Sequence, residues 1–168
     1  MRRSVTKSSQ RFFYQSVIIM EPLRNDTQSM IASSPAPTTT KPGPAGLLLC
    51  RDLIFTTKVT GTAQALGYHI QVAGDARSAQ SVIESLCPRV IFIDLTAGEL
   101  VSLQALSDYF KLAGPDVWFV AFGPHVEEEA LATAKAAGCQ VVLPRSKFAG
   151  DLPRLMQWYF NRRPGDGC

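Results

Sequence analysis

Between Gly46 and Tyr159, five short strand-like apolar runs alternate with five longer stretches whose apolar residues recur at helical spacing. Few folds satisfy that rhythm. The runs are Gly46 to Cys50, His69 to Ala73, Val90 to Ile93 closing on Asp94, Val117 to Phe122, and Gln140 to Leu143. A near-continuous apolar run bounded by breakers suits a strand covered on both faces, and such strands lie in parallel sheets. The first helical stretch runs from Thr56 to Leu66, with Val59, Ala63 and Leu66 on one face and Gly67 placed to end it. The second runs from Ser78 to Cys87, carries Ala79, Val82, Ile83 and Leu86 on one face, and is blocked by Pro88. Leu103, Leu106 and Phe110 stripe the third, closed near Gly114 and Pro115. The fourth, Glu127 to Ala137, opens on three acids, which favour the positive end of a helix. Leu152, Leu155, Met156 and Tyr159 line the last, with Asp151 as its expected cap. Five such β–α units predict an α/β domain, a doubly wound five-stranded parallel sheet with helices on both faces, over residues 45–162. Ligand chemistry in such sheets gathers beyond the carboxyl ends of the strands.

The rest of the chain does not share this pattern. Residues 1–44 end in a stretch rich in Pro, Thr and Ser that cannot bury enough surface to offset its ordering entropy. They read as a disordered tail or as sequence upstream of a true start at Met20 or Met30. The acid-free first twenty residues, with Arg2, Arg3, Lys7 and Arg11, are also like a transit peptide or basic arm. Residues 163–168 read as a short C-terminal tail, with no output domain expected beyond. The net charge of +3 is unevenly placed: residues 1–44 hold six basic residues against two acids, while the remainder holds eleven against twelve. The folded part therefore has no net basic pull towards nucleic acid. No stretch reaches the roughly 20 apolar residues of a membrane span, and a cytoplasmic location is expected. The four cysteines, Cys50, Cys87, Cys139 and Cys168, form no CxxC pair and read as reduced, mostly buried thiols. His69 and His125 have no partner at metal-ligand spacing. Phosphate-cradling GxxxxGK[ST], dinucleotide GxGxxG and nucleophile-elbow GxSxG motifs are missing, so no enzymatic activity is expected.

The strand ends carry Arg51-Asp52, Gly74-Asp75, Asp94-Leu95, Gly123-Pro124 and Pro144-Arg145. The run Val90-Ile91-Phe92-Ile93-Asp94, and Ala136-Ala137-Gly138 leading into the fifth strand, resemble the receiver domain of two-component response regulators. The resemblance covers residues 46–162. It implies a flavodoxin-like fold with strand order 2-1-3-4-5, and Asp94 as the equivalent of the phosphoacceptor. In that family an acidic pair after the first strand joins this Asp in holding Mg²⁺. A Thr or Ser after the fourth strand and a Lys-Pro after the fifth bind phosphoryl oxygens. This sequence departs from the pattern at most of these places. The acidic pair becomes Arg51-Asp52, the hydroxyl position is Gly123, and the Lys-Pro becomes Arg145-Ser146, with Lys147 placed to lean in instead. Arg51 and Arg145 cancel Asp52 and Asp94, so a divalent cation gains little there: Asp94 is expected to be held in an ion pair with Arg51 or Arg145, and Arg51 to stand in the cation's place as a fixed guanidinium.

The leading reading is therefore a stand-alone degenerate receiver-like domain that acts by protein–protein contact in bacterial signalling, without normal Mg²⁺-dependent phosphorylation and without a resident cofactor. A histidine kinase or another signalling protein is the expected partner, and a homodimer is compatible with the same reading. Neither nucleic acid nor a membrane is expected. The contact surface implied by the resemblance spans residues 127–160, with Ala130, Ala134, Trp158 and Phe160 as exposed apolar contacts. Two alternatives fit the same residues. One is a working phosphoacceptor, with Asp94 phosphorylated, Asp52 helping to hold Mg²⁺, and Arg145 or Lys147 as the missing Lys. The other is a small-ligand module using the basic turn Pro144 to Phe148.

Overall fold

The computed structural model describes residues 45–124 and 128–165. The expectations for the tail at 1–44, for His125 and for residues 166–168 lie outside these residues. Five strands form one parallel sheet: β1 (Ala45–Leu49), β2 (His69–Ala73), β3 (Val90–Asp94), β4 (Trp118–Gly123) and β5 (Val141–Pro144). Their order is β2-β1-β3-β4-β5, as expected. β3 pairs with β1 on one side and β4 on the other, and all five of its residues are buried. That burial explains why its sequence is the most apolar in the chain.

The helices divide between the two faces. Alternate residues of the strands point to opposite sides, and each set meets its own helices. Leu47, Leu49, Ile91, Ile93, Phe119 and Ala121 pack against α2 (Ala76–Leu86), α3 (Leu103–Ala113) and α4 (Glu128–Ala136). Leu48, Val90, Phe92, Val120 and Phe122 pack against α1 (Leu53–Ala65), α5 (Arg145–Gly150) and α6 (Leu152–Asn161). Gly46 permits this second face to close. A Cβ there would stand 2.8 Å from the ring of Phe160, which crosses β1 at that point. Phe160 also stacks on Tyr68 at 4.3 Å between ring centres, and Asn161 Nδ2 donates to the Tyr68 hydroxyl.

Several local expectations change. The first helix starts at Leu53, three residues early, because Asp52 accepts a hydrogen bond from the Phe55 N–H and caps it. Asp75 caps α2 in the same way through the Ser78 N–H. A short 3₁₀ turn, Gly98–Val101, precedes α3, and the fully buried residues of α3 are Leu106 and Tyr109, while Leu103 is exposed. The stretch after Pro144 is the helix α5, not a turn, and its Phe148 is fully buried. Asp151 sits at the start of α6, but its side chain makes no capping bond. Cys50 and Cys139 are buried, whereas Cys87 is exposed, at the αL end of α2 with φ 47°. No helix among the described residues is long and apolar enough to cross a membrane.

Candidate functional site

Asp94, the last residue of β3, is the one charged residue among the described residues that is fully buried. Burying a carboxylate is costly unless its oxygens are hydrogen-bonded and its charge is paired. Both oxygens are satisfied. Oδ1 accepts from the Thr96 backbone N–H at 3.1 Å and from the Thr96 hydroxyl at 2.7 Å. Oδ2 accepts from the Cys50 thiol at 3.2 Å and from Arg145 Nη2 at 3.0 Å. The sequence places these groups by simple means. Cys50 follows β1, which lies beside β3, and Thr96 is two residues along the chain. Arg145 opens α5 directly after the edge strand β5.

Arg145 is the centre of the arrangement. The same Nη2 also donates to Asp52 Oδ2 at 2.9 Å, so one nitrogen spans the two carboxylates. Its guanidinium lies 4.4 Å from the centre of the Phe55 ring. That ring rests on Phe122, and Phe122 stacks on Phe148 at 4.1 Å. A planar cation on an aromatic face is held by more than its ion pairs. Asp52 is held in turn: its Oδ1 is taken by the Phe55 N–H and its Oδ2 by Arg145. The Phe55 N–H, and then the Arg145 guanidinium, keep its carboxyl below the ordinary carboxylate range. Burial pushes the Cys50 thiol up, and the adjacent Asp94 carboxylate adds to the effect, so the thiol stays protonated and donates.

The structure corrects four sequence expectations about this region. Arg51 is exposed and pairs with neither aspartate among the described residues; of the two arginines expected beside Asp94, Arg145 makes the ion pair. The reason is the cap: once Asp52 turns inward to the Phe55 N–H, its neighbour faces out. The pocket therefore keeps one net negative charge, from Asp52 and Asp94 against Arg145, and is not neutral. Lys147 does not lean in. It is exposed and lines a separate cavity with Arg154 and Trp158. Ala134 and Phe160 are buried core residues and not exposed contacts. Ala130 is half-buried, and Trp158 alone of the four is clearly exposed, at 40%. The role of Thr96 was missed. Its only signal was a hydroxyl two residues after a buried acid, a spacing at which such side chains bond locally.

Gly123 ends β4 beside this pocket and is buried. A Cβ there would stand 3.2 Å from the Cβ of Leu95, whose N–H donates to Phe122 O. A hydroxyl-bearing residue at 123 would need Leu95 to give by a few tenths of an ångström. A divalent cation fits the donors poorly. Mg²⁺ demands near-octahedral oxygen coordination, yet every carboxylate oxygen of Asp52 and Asp94 already accepts a hydrogen bond. Among the described residues, no group of three His, Cys, Asp or Glu side chains is arranged to hold a metal.

No protein-family model and no curated protein matches the chain. Solved structures do. A CheY-like response regulator receiver domain protein from Methanospirillum hungatei superposes with a TM-score of 0.62 at 15% identity, over 71% of this chain and 94% of that one. A response regulator from Thermotoga maritima gives 0.60 at 15%, over 71% and 99%. The receiver domain of a sensor histidine kinase from Pseudomonas aeruginosa gives 0.61 at 19%, over 71% and 99%, and that protein has a magnesium ion coordinated in its active-site cleft. The domain thus has the fold of response regulator receivers. At these identities the likeness establishes the fold and leaves the chemistry to the residues themselves.

Proposed function

We propose that this domain is a non-catalytic, receiver-like signalling module that works by binding a protein partner, with its phosphorylation pocket held shut by Arg145. The observation that carries the reading is the saturation of Asp94: two bonds from Thr96, one from Cys50 and one from Arg145 on a fully buried carboxylate. An attacking carboxylate needs a free oxygen and a cation to screen the incoming phosphate. Here a guanidinium pairs with the carboxylate and takes one of its oxygens, Oδ2, which also accepts from the Cys50 thiol. The absence of a hydroxyl at Gly123 points the same way, because no side chain there can follow a phosphoryl group. A module whose pocket does not turn over acts through its surface, so a protein partner is the natural target, and a cytoplasmic signalling protein is the natural setting.

The test is incubation with acetyl phosphate and Mg²⁺ followed by intact mass measurement. The expected result is an unmodified chain. A stoichiometric phosphate adduct that disappears in Asp94→Ala would overturn the reading and restore Asp94 as a working phosphoacceptor.

A further inference from the structure

The charge of the domain is split along the chain. Residues 45–144 hold six basic residues against ten acidic ones. Residues 145–163, which form α5, α6 and the turn after it, hold Arg145, Lys147, Arg154, Arg162 and Arg163 against Asp151 alone. Arg145 is spent inside the pocket and Arg163 lines a different cavity with Glu84 and Asp116, so Lys147, Arg154 and Arg162 carry the positive charge of this face. On this face lies a cavity of about 350 Å³ lined by Lys147, Asp151, Arg154, Leu155, Trp158 and Tyr159. That is near the lower limit of small-ligand pockets, ~300–1,000 Å³, and suits a peptide side chain or two.

The aromatic wall of this cavity is prearranged. Trp158 packs 5.1 Å from Trp118 and 4.9 Å from Tyr159, with the Arg162 guanidinium over its ring at 5.1 Å. Trp118 Nε1 donates to the Arg162 carbonyl, which fixes the backbone that carries that arginine. The indole is therefore ordered and yet 40% exposed. An ordered, exposed Trp flanked by cations has the composition of an interface anchor, and little side-chain entropy is left to lose on binding.

From this juxtaposition we propose that the α5–α6 face binds an acidic peptide segment of a partner protein, its apolar side chain seated against Trp158 and Leu155 and its carboxylates facing Lys147 and Arg154. The inference rests on the protein-contact reading above and names the chemistry of the partner. Charge complementarity selects the occupant. A second copy would bring the same basic face to a two-fold contact, and like charges there repel. Nucleic acid would meet Asp151 inside the cavity and a domain whose remainder is net acidic.

The full chain is used to select from a random phage-displayed dodecapeptide library, in parallel with Trp158→Ala and Arg154→Glu variants. Enriched peptides should be net acidic with at least one aromatic or large aliphatic residue. Synthetic versions should lose more than about tenfold in affinity against either variant. Trp158→Ala removes packing on Trp118, so its melting temperature is measured alongside. If that variant unfolds, Arg154→Glu, at an exposed position, carries the test. Enrichment of neutral or basic peptides, no enrichment over the bare support, or indifference to Arg154→Glu overturns the proposal. So does a random single-stranded oligonucleotide that displaces the peptide and binds more tightly. The two readings fail separately. Loss of peptide binding with no phosphate adduct removes only this surface, while an adduct on Asp94 removes only the closed pocket.

Discussion

Replacing Arg145 by Met keeps an unbranched stem over Phe55 and deletes the charge that serves Asp52 and Asp94. Removing one partner of a buried ion pair costs roughly 3–5 kcal/mol, most of it the cost of leaving the other charge unpaired. Two features reduce that figure here. The Arg145 side chain keeps 29% of its exposure, so water reaches the pair. Asp94 also retains its bonds from Cys50 and Thr96. The expected loss is therefore about 2–3 kcal/mol, or a fall in Tm of about 8–12 °C for a domain of this size. Urea unfolding followed by circular dichroism measures it as a shift in midpoint at constant slope. Asp94→Asn and the double variant complete a cycle. Because the double variant leaves no unpaired buried charge, its loss should fall short of the sum of the singles by at least about 1 kcal/mol. The variant also frees carboxylate oxygens, so millimolar Mg²⁺ should raise its Tm and leave that of the native chain unchanged. A loss below about 0.5 kcal/mol, the range of an ordinary surface change, or an additive cycle, would refute the reasoning. Thr96 and Cys50 alone would then be holding Asp94.

Two further outcomes follow from burial and titration. Ile91→Ala and Ile93→Ala, at two fully buried positions of β3, should each cost about 2–5 kcal/mol in the same unfolding assay, and under about 1 kcal/mol in both would contradict a central strand. Asp52 is held below its unfolded value near 3.9, so its stabilising contribution is complete above that pH and is lost as the pH falls through the lower folded value. Asp52→Asn, which retains a good capping side chain, should therefore lose less stability than the native chain on acidification below about pH 4. Unchanged acid limbs would show that the cap and Arg145 do not hold the carboxylate.

What the sequence disclosed, and what it hid, follows the range of the interactions. β3 was legible because burial on both faces leaves no room for polar residues from Val90 to Ile93, while the strand order came only with the resemblance to receiver domains. The same run put Asp94 at the sheet's carboxyl edge, and the resemblance singled it out there from the other strand-end acids. The choice between Arg51 and Arg145 was not, because it turns on one side chain's direction. A local signal existed, since Asp52 precedes Phe55 by three residues and a capping Asp turns inward, but the helical spacing of Val59, Ala63 and Leu66 put the helix start only at Thr56. Phe160 was misplaced although Leu152, Met156 and Phe160 recur every four residues, the spacing of one helical face. Ala134 carries no such signal, since a small residue is equally at home inside or outside. The helix after Pro144 was hidden by its polar start, and only Phe148 packing on Phe122 explains why it coils.

The two sides of the sheet are completed at different moments of synthesis. The buried residues that α2, α3 and α4 cover end at Cys139. The opposite side draws Leu48 from the first strand and waits for Met156, Tyr159 and Phe160 from the last helix. Until Phe160 has left the ribosome, the groove over Gly46 has nothing to fill it, and β1, β3 and β4 show bare apolar side chains. At about 5–20 residues per second, the last twenty or so residues take on the order of one to a few seconds. For that interval a nascent chain has one face closed and one sticky, so chaperone engagement and premature termination should both act on the α6 side.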